Sequence, residues 1–466
     1  MNKLLLLSLI ALPSLAAAQT PAAPDRAAQA RDSALHDDHL AWDITEGLTT
    51  EVGQRLAATE AEARARDWAV RRLTALGFAN VHVEPFEMPV WVRGEERAEI
   101  VSPFPQRLVL AALGRSGATP AGGITAEVVG FANIAALEAA DPASVRGKIV
   151  FVSHGMRPTQ DGSGYGTFGR ARFTGPSIAA RLGAAAIVIR SVGTDNHRNP
   201  HTGGTNWPTG VTPIPAAALS NPDADQMERI LARGLPVRMH LTLTPRNMGT
   251  GHSGNVVADL PGSDPAAGMI VVGGHLDSWD LGTGAIDDAS GVAIVTAAAR
   301  HVFDGARPRR TIRVVWFGAE EPGGLGGRAF YAAHHAADHV VLVGESDFGA
   351  DRVWRVQPTF AAGNQALSAR IVSLLAPLGI VPDAAGGADA GEDLGPWARA
   401  GIAGVDLNQD GTRYFDYHHT PDDTLDKIDP VQLRQNVAAW TAVLAAAADA
   451  PEDITAAGPA RAERQR

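Results

Sequence analysis

MIVVGGHLDSWDLGTGAIDDASGVAIVTAAARHVF, residues 269–303, decides the fold. It opens with a short apolar run of strand length, closes with a longer segment of helical period, and puts His275, Asp277, Asp280, Asp287 and Asp288 between them. A strand that ends on acids and runs on into a helix is one unit of a parallel sheet. The texture recurs outward. TIRVVWFG (311–318) precedes GRAFYAAHHAA (327–337), VVLVGES (340–346) precedes NQALSARIVSLLAPLG (364–379), and GVDL (404–407) precedes DPVQLRQNVAAWTAVLAAAA (429–448). Continuous apolar strands alternating with helices predict an α/β fold, with a mixed, mostly parallel sheet flanked by helices. In such sheets ligands bind beyond the carboxyl ends of the strands.

Upstream, Thr59 and Glu62 have the spacing of a capping box. Helical periodicity then runs from Ala61 to Leu76 and stops at Gly77, and NVHVEPFEMPVW (80–91) alternates like a strand. From about 122 to 243 the pattern changes to short strands, glycine turns and one clear helix, with VRGKIVFVSHG (145–155) and GPSIAARLGAAAIVIRS (175–191) as its plainest pieces. No acids cluster there, so the segment reads as a separate insert. The expected organisation is a signal peptide at 1–18, an N-terminal part of the catalytic domain at 19–121, the insert at 122–243, the rest of the catalytic domain at 244–450 and a flexible tail at 451–466.

MNKLLLLSLIALPSLAAAQT (1–20) has Lys3, an apolar stretch, and Ala16 and Ala18 before Gln19. This is the pattern of a secretory signal cut after Ala18, too short for a membrane anchor, so the protein is expected to be secreted or periplasmic. The 466 residues contain no cysteine. Disulfides and thiolate ligands are therefore excluded, and a metal site has to use imidazole and carboxylate. The net charge of −11, without a basic run, argues against nucleic-acid binding.

The polar residues at the predicted strand ends converge. The first strand delivers His275 and Asp277, the second Glu320 and Glu321, the third Asp347, and the loop after GVDL delivers His419 within YHHTPDDT. With Asp287 that makes two imidazoles and five carboxyls at one rim, a set that two divalent cations would gather. If His275, Asp287, Glu321, Asp347 and His419 bind directly, three carboxylates meet four positive charges, and one hydroxide bridging the ions completes neutrality. Adjacent residues point to opposite sides, so one of Glu320 and Glu321 should be a ligand and the other a general base over the water. Asp277, two residues from His275, is suited to holding the second ring nitrogen of that imidazole. His334, His335 and His339 carry no accompanying glutamate and read as a solvated helix face, and GGLGG (323–327) lacks the lysine of a phosphate loop.

HLDSWDLGTGAIDDASG (275–291), WFGAEEPGGLGG (316–327), GESDFG (344–349) and YHHTPDDTLDKIDP (417–430) together resemble the co-catalytic zinc exopeptidases of the aminopeptidase and glutamate carboxypeptidase family. GQRL (53–56), WVRGEERAEI (91–100), GITAEV (123–128), RGKIV (146–150) and NPHTG (199–203) extend the resemblance over nearly the whole mature chain. It implies a zinc exopeptidase fold with a protease-associated insert, and two Zn2+ per chain. His275 and Asp347 would hold one, Glu321 and His419 the other, with Asp287 between them. It further implies Glu320 as general base, Asp277 as the residue that orients His275, and a cis peptide after Asp287. Of the two adjacent histidines it selects His419, which precedes Thr420 and then Asp423 and Thr424, and leaves His418 as a neighbour facing substrate. Asp393 resembles an acid the family keeps near its pocket. A homodimer is implied by the resemblance alone.

The resemblance further implies hydrolysis of short peptides, dipeptides above all, and Arg413 is a candidate partner for a substrate carboxylate. The alternatives are an aminopeptidase on longer peptides, a glutaminyl-cyclase-like acyltransferase with a single metal, and a metal-free receptor-like binding domain.

Overall fold

The computed structural model describes residues 25–305, 307–383 and 387–454. The expected signal peptide and the tail from 455 onward lie outside the described residues. The main sheet contains β1 (Ala79–Val92), β2 (Arg246–Leu260), β3 (Met269–His275), β4 (Thr311–Phe317), β5 (Val340–Glu345), β6 (Val353–Thr359), β7 (Val381–Pro382) and β8 (Ala403–Gln409), in the spatial order β1-β2-β4-β3-β5-β8-β6-β7. β3 is parallel to both β4 and β5, and β5 to β8. β2 and β6 run antiparallel to β4 and β8, which makes the sheet mixed. The expected α/β class is the one the chain adopts.

Alternate residues of the central strands feed two cores. Ile270, Val272, Val314 and Trp316 pack with the helices Ser290–Phe303 and Pro430–Ala448, whereas Val271, Val315 and Phe317 pack with Phe330, Leu394 and Trp397. Both faces are therefore covered, and that is why the strands read as unbroken apolar runs.

A second eight-stranded sheet with its own apolar cluster is built from residues 96–243. It departs from the ends of the antiparallel pair β1–β2. Val92 is paired with Arg246, and four residues later Glu96 is paired with Leu243. The two crossings lie side by side, with Glu95 N donating to Thr244 Oγ1 at 2.7 Å and Thr244 N to Glu95 O at 3.0 Å. A Cβ on Gly94 would collide with Thr244, so glycine is what lets the crossings touch. Gly122 and Gly123, the expected start of the insert, form a turn inside this sheet, because the real crossing is marked by one glycine rather than a glycine cluster.

The capping box at the helix Glu60–Ala75 also differs from expectation. Glu62 accepts from Ala58 N at 2.8 Å, while Thr59 Oγ1 donates back to Leu56 O at 2.7 Å.

Candidate metal centre

Parallel pairing puts His275 opposite Phe317, so the loops leaving β3 and β4 emerge together, and the loop after β5 emerges beside them. The five expected ligands meet there. His275 Nε2 lies 3.0 Å from Asp287 Oδ1 and 3.4 Å from Asp347 Oδ1. His419 Nε2 lies 3.2 Å from Asp287 Oδ2 and 3.0 Å from Glu321 Oε2. The Asp287 carboxylate thus gives one oxygen to each of two lobes, each completed by one imidazole and one further acid. His275, Asp287, Glu321 and His419 are all buried.

The supporting groups are largely backbone contacts. His275 Nδ1 is 2.9 Å from the carbonyl oxygen of Asp277. The Asp277 carboxylate is 3.8 Å from that nitrogen and instead accepts from Glu320 N at 3.0 Å and Glu321 N at 3.3 Å. Asp277 therefore anchors both ends of the site, the imidazole through its main chain and the glutamate pair through its side chain. Asp288 Oδ2 accepts from His275 N and Oδ1 from Gly291 N, both at 3.0 Å, which ties the strand end to the start of the next helix. The Asp287–Asp288 peptide is cis.

Two further residues shape the loop. Asp423 Oδ1 accepts from Ala285 N and Ile286 N, each at 2.8 Å. Arg55, fully buried, donates to the carbonyls of Gly53, Leu276, Thr283 and Gly284 at 2.6–2.9 Å, threading the segment between His275 and Asp287.

So many buried acids carry an electrostatic cost. Burial, then the charge of Asp347, pushes Glu320 well above the usual carboxylate range; burial and Asp287 do the same to Glu321. Burial lifts Asp277 to about 6, and burial with the charge of Asp287 lifts Asp423 to about 7. Asp287 moves the other way: against burial, hydrogen bonds from His275 and His419 hold it well below the usual range. Added cations would relieve this crowding. Asp287 Oδ2 is buried with only imidazole nitrogens facing it, His419 Nε2 at 3.2 Å and His418 Nε2 at 3.6 Å, and His275, Asp287 and Glu321 offer ligand atoms within 4.8 Å of one another. This donor set, all imidazole and carboxylate, fits Zn2+.

The remaining expected residues divide. His418 belongs to the site: its ring stacks on His419 at 3.5 Å between centroids, and its Nε2 lies 3.6 Å from Asp287 Oδ2. Asp393 lies behind it, fully buried, with Oδ1 accepting from Gly327 N at 2.8 Å. Its main-chain N donates to Glu345 Oε2 at 3.0 Å, and Glu345, an acid inside β5, carried no signal that separated it from the apolar run. Arg413 is engaged elsewhere, with two nitrogens each 2.6 Å from an Asp351 oxygen. Asp280 is gripped by Arg93 at 2.7–3.0 Å. His334 binds Glu84 at 2.9 Å and Asp338 at 2.8 Å, as an outer helix face does.

Comparison with known proteins places this geometry in context. A family model, peptidase family M28, matches residues 255–444. Carboxypeptidase Q of Mus musculus is 35% identical over 407 residues, 87% of this chain and 85% of that protein. The Homo sapiens protein of that name is also 35% identical, over 87% of this chain and 84% of its own. The crystal structure of a peptidase M28 precursor from Shewanella amazonensis, 43% identical, superposes with a TM-score of 0.90 over 93% of this chain and 98% of that one. A zinc aminopeptidase from Bacillus subtilis shares the fold at a TM-score of 0.62 and 22% identity, over 89% of this chain and 98% of its own.

Proposed function

The chain belongs to peptidase family M28, and from that premise we propose that it is a two-zinc exopeptidase of short peptides, dipeptides first. The observation that carries the reading is the split carboxylate of Asp287, with one oxygen beside His275 and the other beside His419. His275 and Asp347 would hold one zinc, Glu321 and His419 the other, and Asp287 both. When bound, zinc acidifies water and polarises a peptide carbonyl.

The chain's own residues do the rest. Glu320 acts as the general base: it takes the proton of the attacking water and gives it to the leaving amine. Asp277 holds the Glu320 and Glu321 amides, which keeps one side chain on the metal side and the other over the water. His418, neutral because burial and the neighbouring His419 push its pKa well down, presents an uncharged ring to substrate. Trp279, T-shaped against His419 at 5.9 Å, forms one wall of the pocket beside Asp287, Glu321 and His419. The insert is read as a protease-associated domain, and the chain as a secreted or periplasmic homodimer after removal of 1–18. No helix among the described residues is long and apolar enough to cross a membrane.

Glu320→Gln tests the assignment. It should keep two zincs by elemental analysis and lose roughly a hundredfold to ten-thousandfold in kcat. Zinc lost together with activity would mean the two glutamates are exchanged. A peptide panel blocked at either terminus tests the substrate class: cleavage that survives N-terminal acetylation excludes a dipeptidase or aminopeptidase.

A further inference from the structure

The lobe containing His419 is not completed by the catalytic strands alone. Thr202 and Arg172 come from the insert, outside the 255–444 stretch that matches the family, and both are buried. Thr202 N donates to His419 O at 3.0 Å, and Thr202 O lies 3.3 Å from His419 Nδ1. His419 has φ of +62°, a backbone state uncommon for a side-chain-bearing residue, and this main-chain bond fastens it. Arg172 Nη1 is within donating reach of two acceptors, the same Thr202 carbonyl at 3.3 Å and, when the ring carries no proton there, His419 Nδ1 at 3.1 Å. Its guanidinium is fixed in turn by the Tyr165 hydroxyl at 2.5 Å from Nη2 and by the Phe173 ring, 4.5 Å below. A Cβ on Gly203 would strike that guanidinium.

The same threonine is tied to the other half of the site. Arg93 donates to Thr202 Oγ1 at 3.0 Å and to both oxygens of Asp280. Asp280, Arg93, Thr202 and His419 therefore form a continuous path from the β3 loop through the insert to the last expected ligand.

We propose that Thr202 and Arg172 are positioning residues for His419. To present a lone pair at Nε2, between Asp287 and Glu321, the ring must carry its proton on Nδ1 and needs an acceptor there. Of the two groups at Nδ1 only Thr202 O can accept, and in that tautomer the Arg172 Nη1 hydrogen turns from the ring nitrogen to the Thr202 carbonyl and holds it in place. The cation on the Glu321–His419 side then depends on the insert, while the one on the His275–Asp347 side does not. This rests on the two-zinc reading above.

The test is zinc binding by the full chain, measured with a competing chromophoric chelator and by elemental analysis. In Arg172→Gln one of the two zincs should weaken by roughly ten- to a hundredfold while the other stays within about twofold of wild type, with an unchanged circular dichroism spectrum. Tyr165→Phe, which releases only Nη2 of Arg172, should weaken the same zinc by a smaller factor; if Arg172→Gln does not fold, it carries the test alone. Two zincs at wild-type affinity, equal weakening of both in a folded variant, or tighter binding would each overturn the proposal. Tighter binding would mean that Arg172 holds the opposite tautomer by donating to Nδ1. A wild-type chain that binds fewer than two zincs sinks the two-zinc reading itself, and this inference with it.

Discussion

Arg55 shows how a single side chain can organise a loop it does not belong to. Its guanidinium has no carboxylate hydrogen-bond partner among the described residues; it donates to four carbonyls, and burial lowers its pKa against the pull of Asp423 and Asp277. Arg55→Met should leave those carbonyls without donors and cost on the order of 3 to 5 kcal/mol, read as a shift in urea unfolding. A change below about 1 kcal/mol would mean water replaces the guanidinium. His275, Glu321 and Asp347 were legible beforehand because each ends or closely follows a short apolar strand, whereas Asp287 and His419 lie well past β3 and β8 and were legible from their loop motifs, AIDDASG and YHHTPDDT. Arg55, Glu345, Arg172 and Thr202 were not, since their importance comes from partners 48 to 247 positions away. Asp277 was half legible. Its nearness to His275 is local, whereas its grip on the Glu320 and Glu321 amides arises only when β3 and β4 lie side by side.

Among the elements, the junction of β3 with the helix Ser290–Phe303 leaves no room for a side chain at Gly291. A methyl at Gly291 would meet Ser346 O and the Asp288 carboxylate, which also holds His275 N. Alanine is the better helix former, so propensity predicts a gain for Gly291→Ala. The collision predicts the opposite: the helix start moves, His275 moves with it, and zinc occupancy falls while helix content persists. Occupancy equal to wild type would show that the junction can yield. A second element-level device lies on β8, where Asp406 accepts from Asp389 N and Ala390 N at 2.8 and 3.0 Å. Burial and Asp389 raise its pKa to about 7. Between about pH 4 and 7 the folded chain keeps a proton that the unfolded chain has released, so Asp406 makes stability fall as pH rises through that window. Asp406→Asn should flatten that part of the stability profile; an unaltered slope would assign it to other acids. Strand and helix positions were legible from periodicity, but the start of the second sheet was not, because the chain leaves one sheet at Val92 and enters the other at Glu96 with only Gly94 to mark the change.

At the scale of the whole molecule, the acid-rich centre predicts that zinc stabilises the fold as well as serving chemistry. A ligand that binds only the folded state adds about 4 kcal/mol at a thousandfold excess over Kd. Chelator treatment should therefore lower Tm and added Zn2+ restore it, with Mg2+ ineffective because the site offers imidazole nitrogen. Equal Tm with and without metal would leave the fold indifferent to its centre. The paired crossings at 93–95 and 244–245 also bear on kinetics. β1 and β2 must find each other across more than 150 intervening residues, yet that stretch carries its own apolar cluster and ends with Glu95 and Thr244 bonded together. Once the intervening unit has formed, its two ends are already neighbours, and a loop closure that would otherwise be long shrinks to a few residues. Assembly of the larger sheet then waits on the smaller one, so mutations in the second cluster should slow the appearance of the whole native state rather than of their own region alone.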